Sequence, residues 1–333
     1  MTPHITPYIR KFLFLVIFAF CKNVYSDSLA GDLVSASENG DNKKIVELLN
    51  NGSDVNGRYF SSTALNTAII KGRVDTVLLL LKMGADPNLP DATSTPLIKA
   101  VSSFESASIV SLLLKNGADP NLQFGNAKDR DGPLGFLTKQ INSNEADQVK
   151  SLQLLLQAGA NVDASATDGG TPLHNVILLN RVDLAKALLE AGANPNLIQH
   201  ASIPDFSTGE SPLQTAIVSY GTSKDTSMAK LLLKFGANAN FRNDREFEQN
   251  RHQDESASWN GLTPLFIATQ LGYTPLMPLL LESGADACLS RSDGASLSEI
   301  AAMGKNKHMT TFLANYFKKH PCQKKSIDAP LKK

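Results

Sequence analysis

Histidine side chains near carboxylates are the groups of this 333-residue sequence that could carry acid–base or metal chemistry. His200 lies near Asp205, and His252 lies near Asp254 and Glu255, so adjacent loops could bring these groups together. No HExxH, GxSxG or phosphate-binding glycine loop accompanies them. We therefore assign no catalytic, cofactor-binding or metal-binding residue, and we expect a protein that is not an enzyme.

The N-terminal segment has the features of a secretory signal peptide. Arg10 and Lys11 precede nine uninterrupted apolar residues, Phe12 to Phe20, whereas about 20 are needed to span a bilayer. The sequence VYS offers small residues for cleavage after Ser26. We predict a signal peptide over residues 1–26 and an exported protein, periplasmic or secreted, without stable membrane insertion after cleavage. An uncleaved signal anchor is the alternative.

Cysteine usage is compatible with export. Removal of the signal peptide removes Cys21 and leaves Cys288 and Cys322. Two cysteines in an exported chain could pair, although two free thiols fit the sequence equally well. The isolated pair His320 and Cys322 does not have the spacing of a metal site.

The charge balance argues against a nucleic-acid partner. The chain is 42% hydrophobic, 19% charged and formally neutral, whereas phosphate binding usually needs a clear basic excess. Residues 318–333 hold six lysines and one aspartate. We expect this segment to be a disordered basic tail.

Two short phrases alternate along the chain, and together they indicate a repeat protein. A glycine turn follows each leucine-rich run, and a Thr-Pro-Leu-like phrase opens the next apolar segment. The glycine turns are NGSDVN at Asn51, MGADPN at Met83, NGADPN at Asn116, AGANVD at Ala158, AGANPN at Ala191, FGANAN at Phe235 and SGADAC at Ser283. The second phrases begin at Ser62, Ser94, Asp131, Gly170, Glu210, Leu262 and Gly294.

The two phrases predict helix ends. Thr or Ser before Pro is an N-cap with proline at the first helical position, where a missing N–H costs nothing. Glycine after a leucine-rich run supplies the left-handed residue that ends a helix, and Asx residues then turn the chain. Each unit is therefore a helix, a turn, a second helix and a hairpin-like loop. One unit cannot bury its own apolar faces, so the units must stack.

These phrases resemble those of the ankyrin repeat family, and His174 completes the family phrase TPLH. The resemblance implies an all-α solenoid of about eight helix–turn–helix units over residues 27–317, with atypical first and last units that act as caps. In this family the histidine of that phrase bonds neighbouring backbone. The predicted units are 27–56, 63–88, 95–121, 132–163, 171–196, 211–240, 263–288 and 295–317.

Spacing between the phrases locates the insertions. Plain units have 21 residues from the cap Thr to the turn Gly, as from Thr63 to Gly84. Relative to this spacing, the fourth unit has six extra residues and the sixth has four. We expect all insertions to fall in loops, because packing fixes helix length. Three hairpin loops are extended, after Asn121, Asn196 and Asn240.

Candidate contact residues lie in the three extended loops, because Trp, Arg and other aromatic residues dominate protein interfaces. The alternative is that Trp259 packs its loop onto the stack and that the charges are solvated. The candidates are Arg242, Arg245, Phe247, Arg251, His252 and Trp259 in the longest loop, Phe124 and Arg130 in the first, and His200 and Phe206 in the second.

The resemblance implies a non-catalytic interaction module or scaffold. It would act outside the cytoplasm and bind a protein partner through its concave face and long hairpin loops. Cleaved signal peptides on ankyrin proteins further imply a bacterial source. A secreted effector that engages a host protein is an alternative. An enzyme or ligand-binding protein with a site built from the long loops is another. No cofactor or nucleic acid is expected, and the sequence leaves the partner's identity and the oligomeric state open.

Overall fold

The computed structural model describes eight stretches of the chain, which fall into two compact units, Met1–Ala166 and Thr167–Lys333. Both units are helical, as the sequence predicts. The described stretches are residues 29–103, 106–126, 130–141, 144–166, 169–198, 210–242, 262–291 and 294–322.

The first unit consists of four helix pairs and one short hairpin in its described residues. From the second pair onwards, the first helices of successive pairs pack side by side, and so do the second helices. The helices are α1 (29–39), α2 (Asn42–Asn50), α3 (Ala64–Ile70), α4 (Val74–Lys82), α5 (Pro96–Val101), α6 (Ser106–Lys115), α7 (Pro133–Lys139) and α8 (Glu145–Gln157). The hairpin strands are β1 (Arg58–Tyr59) and β2 (Ser62–Thr63), which pair antiparallel.

The second unit contains four more helix pairs in its described residues, and α9, α11, α13 and α15 form its row of first helices. The helices are α9 (Pro172–Leu178), α10 (Val182–Glu190), α11 (Pro212–Ser223), α12 (Ser227–Lys234), α13 (Pro264–Gln270), α14 (Leu276–Glu282), α15 (Leu297–Met303) and α16 (Lys307–Lys319).

Helix ends follow the chemistry of the two phrases. Thr95 caps α5 by accepting a hydrogen bond from the Ile98 N–H at 3.3 Å, and Pro96 takes the first helical position. At the other end of a pair, Gly84 adopts a φ of +91°, a left-handed conformation that strains other residues. Apolar side chains between these ends, such as Leu80 and Leu113, are fully buried.

In the glycine phrases that end in Asn and are followed by a further glycine turn in the same unit or stack of turns, the asparagine side chain is hydrogen-bonded to the next glycine turn. Asn88 donates through Nδ2 to the Gly117 carbonyl at 2.9 Å and accepts from the Asp119 N–H at 2.8 Å. Since each such asparagine bonds one turn ahead, the hydrogen bonds form a ladder along the hairpin side of each unit. The same pair of bonds is made by Asn56 and Asn121 in the first unit and by Asn196 and Asn240 in the second.

The expectation that insertions avoid helices is wrong in both the fourth and the sixth pair. Helix α11 has 12 residues where α9 has 7, and α8 has 13 where α10 has 9. Helix α11 is thus longer by five residues and α8 by four, so each has gained about one helical turn of about 3.6 residues. Each added turn lies at the helix end far from the hairpins, where no ladder fixes the length.

Aromatic packing supports the longer end of α11. Lys224 ends the helix in a left-handed conformation with φ of +55°. Its ammonium lies 5.6 Å from the ring centre of Tyr220 and 5.3 Å from that of Tyr273. Both distances fall within the range of cation–π attraction, and the two rings also pack edge to face. This cluster compensates for the left-handed residue.

The last helix continues through Lys319, two residues into the segment predicted as a basic tail. A disulfide joins Cys288 to Cys322, with a Cα–Cα distance of 5.5 Å, and so answers the pairing question that the sequence leaves open. Residues 323–333 lie outside the described part of the chain. Within the described residues, no helix is both long and apolar enough to cross a membrane.

Candidate functional site

The hairpin β1–β2 presents two aromatic side chains to solvent. Tyr59 is 39% exposed and Phe60 is 87% exposed, and their rings pack edge to face with centres 4.4 Å apart. Phe60 and Ser61 form the two-residue turn, with φ of +44° and +67°. Such turns normally carry Asn or Gly, because left-handed backbone costs other residues about 1 kcal/mol or more. The presence of phenylalanine at position 60 is therefore explained neither by burial of its side chain nor by the backbone preference of the turn.

This hairpin is attached to the loop that follows α4. Arg58 donates through Nη2 to the Pro90 carbonyl at 2.7 Å, and the Ala92 N–H donates to the Ser61 carbonyl at 3.4 Å. The aromatic tip is therefore continuous with the loop of residues 90–94.

A groove of about 360 Å³ lies between α3, α5 and α7, and Thr93 and Ser94 of that loop form part of its lining. Three apolar side chains, Ile70, Ile98 and Phe136, form its walls, and Ile70 is 55% exposed. Side chains with hydroxyl, amide and ammonium groups form the remainder: Thr93, Ser94, Lys99, Ser102, Ser103 and Gln140.

An almost buried ion pair lies at one edge of the groove. Lys99 Nζ is 3.1 Å from Asp91 Oδ2, and the two side chains are only 10% and 5% exposed. Burial by itself would raise the pKa of Asp91. The hydrogen bonds from Thr93 and Ser94, together with the Lys99 ammonium, outweigh burial and bring that pKa below its ordinary value. The carboxylate thus stays charged and holds Lys99 in place at the groove.

His174 has a structural position at the start of α9. Its Nδ1 accepts from the Thr171 backbone N–H at 3.4 Å and lies 2.8 Å from Thr171 Oγ1, as the family phrase implies. Its buried Nε2 makes no hydrogen bond of ordinary geometry, although the nearby carbonyl of Glu210 favours the protonated ring. Burial is the larger effect and lowers the pKa of His174 to about 4. The imidazole is therefore neutral at physiological pH.

The longest predicted loop contributes one described candidate, Arg242. It donates through Nη1 to the Ser290 carbonyl at 3.2 Å. Arg58 makes the equivalent bond to Pro90, since both arginines lie six residues after a turn glycine. Arg242 thus helps to join successive loops, which uses part of the guanidinium that was predicted to contact a partner.

Phe124 and Arg130 lie at the base of the first extended loop. Phe124 and Asp131 exchange backbone hydrogen bonds of 2.9 and 3.1 Å, so the loop is closed by an antiparallel bridge. Phe124 is half-buried and Arg130 is exposed.

The other candidates lie outside the described residues: Arg245, Phe247, Arg251, His252, Trp259, His200 and Phe206.

Tyr59 and Phe60 were missed because the sequence reasoning ranked loops by their excess length. The first hairpin loop has no insertion. The signal that could have found them is composition, because RYFSS places one large aromatic residue at a turn position and another directly before it.

Stacked helix pairs linked by a hydrogen-bonded ladder of turns define a helical repeat protein. The family model described as ankyrin repeats (3 copies) matches residues 33–124 and 140–243, and the ankyrin repeat model matches residues 260–292. The chain therefore belongs to the ankyrin repeat family, whose repeats are protein–protein interaction modules.

Known relatives share the repeats over part of their length. The chain is 27% identical over 205 residues to the E3 ubiquitin-protein ligase KEG of Arabidopsis thaliana, a match that covers 60% of this chain and 12% of that protein. It is 31% identical over 163 residues to the human ankyrin repeat and SOCS box protein 6, a match that covers 46% of this chain and 37% of the relative. The chain thus spans less than half the length of these relatives.

The crystal structure of the human ASB11 ankyrin repeat domain has the same fold. Its TM-score is 0.52 at 24% sequence identity, and the match covers 76% of this chain and 98% of that domain.

Within the described residues, no group of three or more His, Cys, Asp or Glu side chains could hold a metal ion.

Proposed function

We propose that this chain is an exported, non-catalytic interaction protein that binds another protein through its hairpin loops and the groove of its first unit. One observation carries the proposal: an 87% exposed phenylalanine stands on a left-handed turn of a hairpin that is hydrogen-bonded to the loop of residues 90–94, and Thr93 and Ser94 of that loop line an apolar-walled groove. An unfavourable backbone conformation that displays a large apolar side chain points to a use in binding.

The chemistry of the surface supports a protein partner. Aromatic side chains at an accessible tip bury a large area on contact, and they are enriched among interface hot spots. The groove of the same unit combines apolar walls with hydroxyl, amide and ammonium groups, which suits one large side chain of a partner and the polar backbone around it. Phe60 and Ile70 would then act as two separate anchors.

The disulfide supports the exported location. Disulfides persist in oxidising compartments and are rare in the cytosol. The N-terminal segment with its basic flank and short apolar core is the second support. Mass spectrometry of the protein recovered from the exporting cell tests this part of the proposal, since cleavage after Ser26 gives a mature chain that begins at Asp27.

The binding surface is tested by comparing three variants as bait for proteins of the same compartment. Phe60→Asn and Ile70→Ser should each weaken capture of a specific partner by about tenfold or more, the loss typical of an interface anchor. Leu178→Ser is the matched control, because Leu178 is 58% exposed and occupies the position in α9 that Ile70 occupies in α3. If Phe60→Asn, Ile70→Ser and Leu178→Ser capture the partner equally well, the proposed binding surface is refuted.

Excision of residues 243–258 tests the longest predicted loop separately. If the loop residues Arg245, Phe247 and Arg251 contact the partner, the shortened protein keeps its thermal midpoint but loses capture. A large fall in the midpoint would show instead that the loop has a structural role.

A further inference from the structure

Cys288 occupies a position that asparagine holds in five other turns. It lies four residues after Gly284, as Asn88 lies four residues after Gly84. The local turn is the same, because the Cys288 N–H donates to Asp286 Oδ1 at 2.8 Å and the Asn88 N–H donates to Asp86 Oδ1 at 2.8 Å. Only the side chain that would reach the next turn is different.

The last helix pair offers no turn for the ladder to continue onto. Residues 295–322 contain no glycine phrase, so the carbonyl and N–H that an asparagine at position 288 would bond are missing. In their place Cys288 is bonded to Cys322, three residues beyond the end of α16. The ladder therefore ends in a covalent link that encloses the whole last helix pair within a sequence separation of 34 residues.

The last pair has a small buried face of its own. Only Met309 and Leu313 of the 13 residues of α16 are buried. A side-chain bond from Asn306 to the Gly272 carbonyl at 3.3 Å and packing of α15 on α13 attach the pair to its neighbour. Terminal repeats contact a neighbour on one side alone, so they are the first to open in a stacked protein.

We propose that the Cys288–Cys322 disulfide is a redox-sensitive clamp that keeps the C-terminal helix pair folded. Both cysteines are exposed, so a dithiol reductant can reach them. Its thiolate attacks one sulfur and releases the other cysteine as a thiolate. Its second thiol then closes the reductant's own disulfide and frees the first cysteine. Two electrons and two protons pass to the protein, which ends with two thiols.

Opening of the clamp has a local structural result. Once the loop is free, α15 and α16 separate from α13 more often, and the apolar residues Leu297, Ile300 and Met309 become accessible. The remaining helices stay folded because their own ladder and packing are unchanged. The clamp thus couples exposure of a terminal apolar face to the redox state of the compartment.

Native-state hydrogen exchange of the full chain, oxidised and then reduced with a dithiol, tests the clamp. Reduction should speed exchange of the amides of α16 by about several hundredfold, the order expected when a loop of this length is released. Exchange in α13 and α14 should change less than about threefold. Cys322→Ser should behave as reduced protein under both conditions.

A second variant separates loss of the clamp from loss of the turn. Cys288→Asn restores the ladder residue at its turn but removes the cross-link, so it should also exchange quickly in α16 while leaving α14 protected. Equal protection of α16 in oxidised and reduced protein would overturn the proposal. Loss of protection throughout α9–α14 would overturn it too, since the disulfide would then stabilise the fold as a whole. Two free thiols in protein purified under oxidising conditions would do the same.

Discussion

His174 makes the stability of the second unit depend on pH. Burial lowers its pKa to about 4, whereas the unfolded chain has an ordinary histidine pKa of about 6.5. Between these values the unfolded chain binds more protons than the folded chain. The stability contribution is therefore complete above pH 6.5 and declines as the pH falls towards 4.

The size of the effect follows from the pKa difference. One pKa unit corresponds to about 1.4 kcal/mol, so the complete loss is about 3 kcal/mol, and about 2.5 kcal/mol is lost by pH 4.5. Glu210 acts in the opposite direction, because burial raises the pKa of its carboxyl. Its protonated form is favoured in the folded chain, which offsets part of the loss at low pH.

The substitution His174→Gln isolates the imidazole. At the equivalent position of α11, Gln214 accepts from the Ser211 N–H at 2.9 Å and donates to the Leu262 carbonyl at 2.8 Å. Glutamine at 174 can therefore form the same capping box without titrating. We expect it to change stability at pH 7.5 by less than about 1 kcal/mol, within the range of one hydrogen bond.

Chemical denaturation of both proteins at pH 7.5 and pH 4.5 provides the measurement. Wild type should lose about 2.5 kcal/mol more than His174→Gln between the two pH values, and Glu210 cancels because both proteins contain it. An equal loss in the two proteins would refute the reasoning. So would an NMR titration that finds the pKa of His174 near 6.5.

Three further substitutions test features of the first unit. Phe60→Asn should raise stability by about 0.5–1 kcal/mol in thermal unfolding, because asparagine tolerates the left-handed turn, and unchanged or lower stability would contradict the assigned strain. Asn88→Ala should cost about 1–2 kcal/mol in denaturant unfolding, since it removes two ladder bonds. Gly135→Ala should cost about 1–3 kcal/mol, because a Cβ there would overlap the carboxylate of Asp131. An unaffected thermal midpoint would show that the Asp131 side chain moves aside freely.

Most of the helix pairs could be predicted because their ends depend on local chemistry. A Thr-Pro start such as Thr95-Pro96 and a glycine stop such as Gly84 each act within about one turn of helix, so the residues at the end are sufficient evidence. The length of α11 could not be predicted in this way. Its added turn depends on Lys224 packing against Tyr220 and Tyr273, and Tyr273 belongs to the next helix pair.

The candidate site was less predictable than the fold. Loop length drew attention to Arg242, yet that side chain bonds the following loop. Phe60 lies in a loop of ordinary length, and its importance depends on its exposure and its left-handed backbone, which need coordinates. The pairing of Cys288 with Cys322 likewise depends on where α16 ends, because that position brings two distant segments together.

The added turns of α8 and α11 show which end of a helix pair tolerates added residues. The glycine turns hold the hairpin ends of the helix pairs to a fixed repeat, whereas the opposite ends of α8 and α11 are longer by about one helical turn. We therefore expect these helix ends to accept natural or engineered insertions best in steps of about four residues, close to one helical turn. A peptide tag inserted in such a step would leave the asparagine ladder of the same unit untouched.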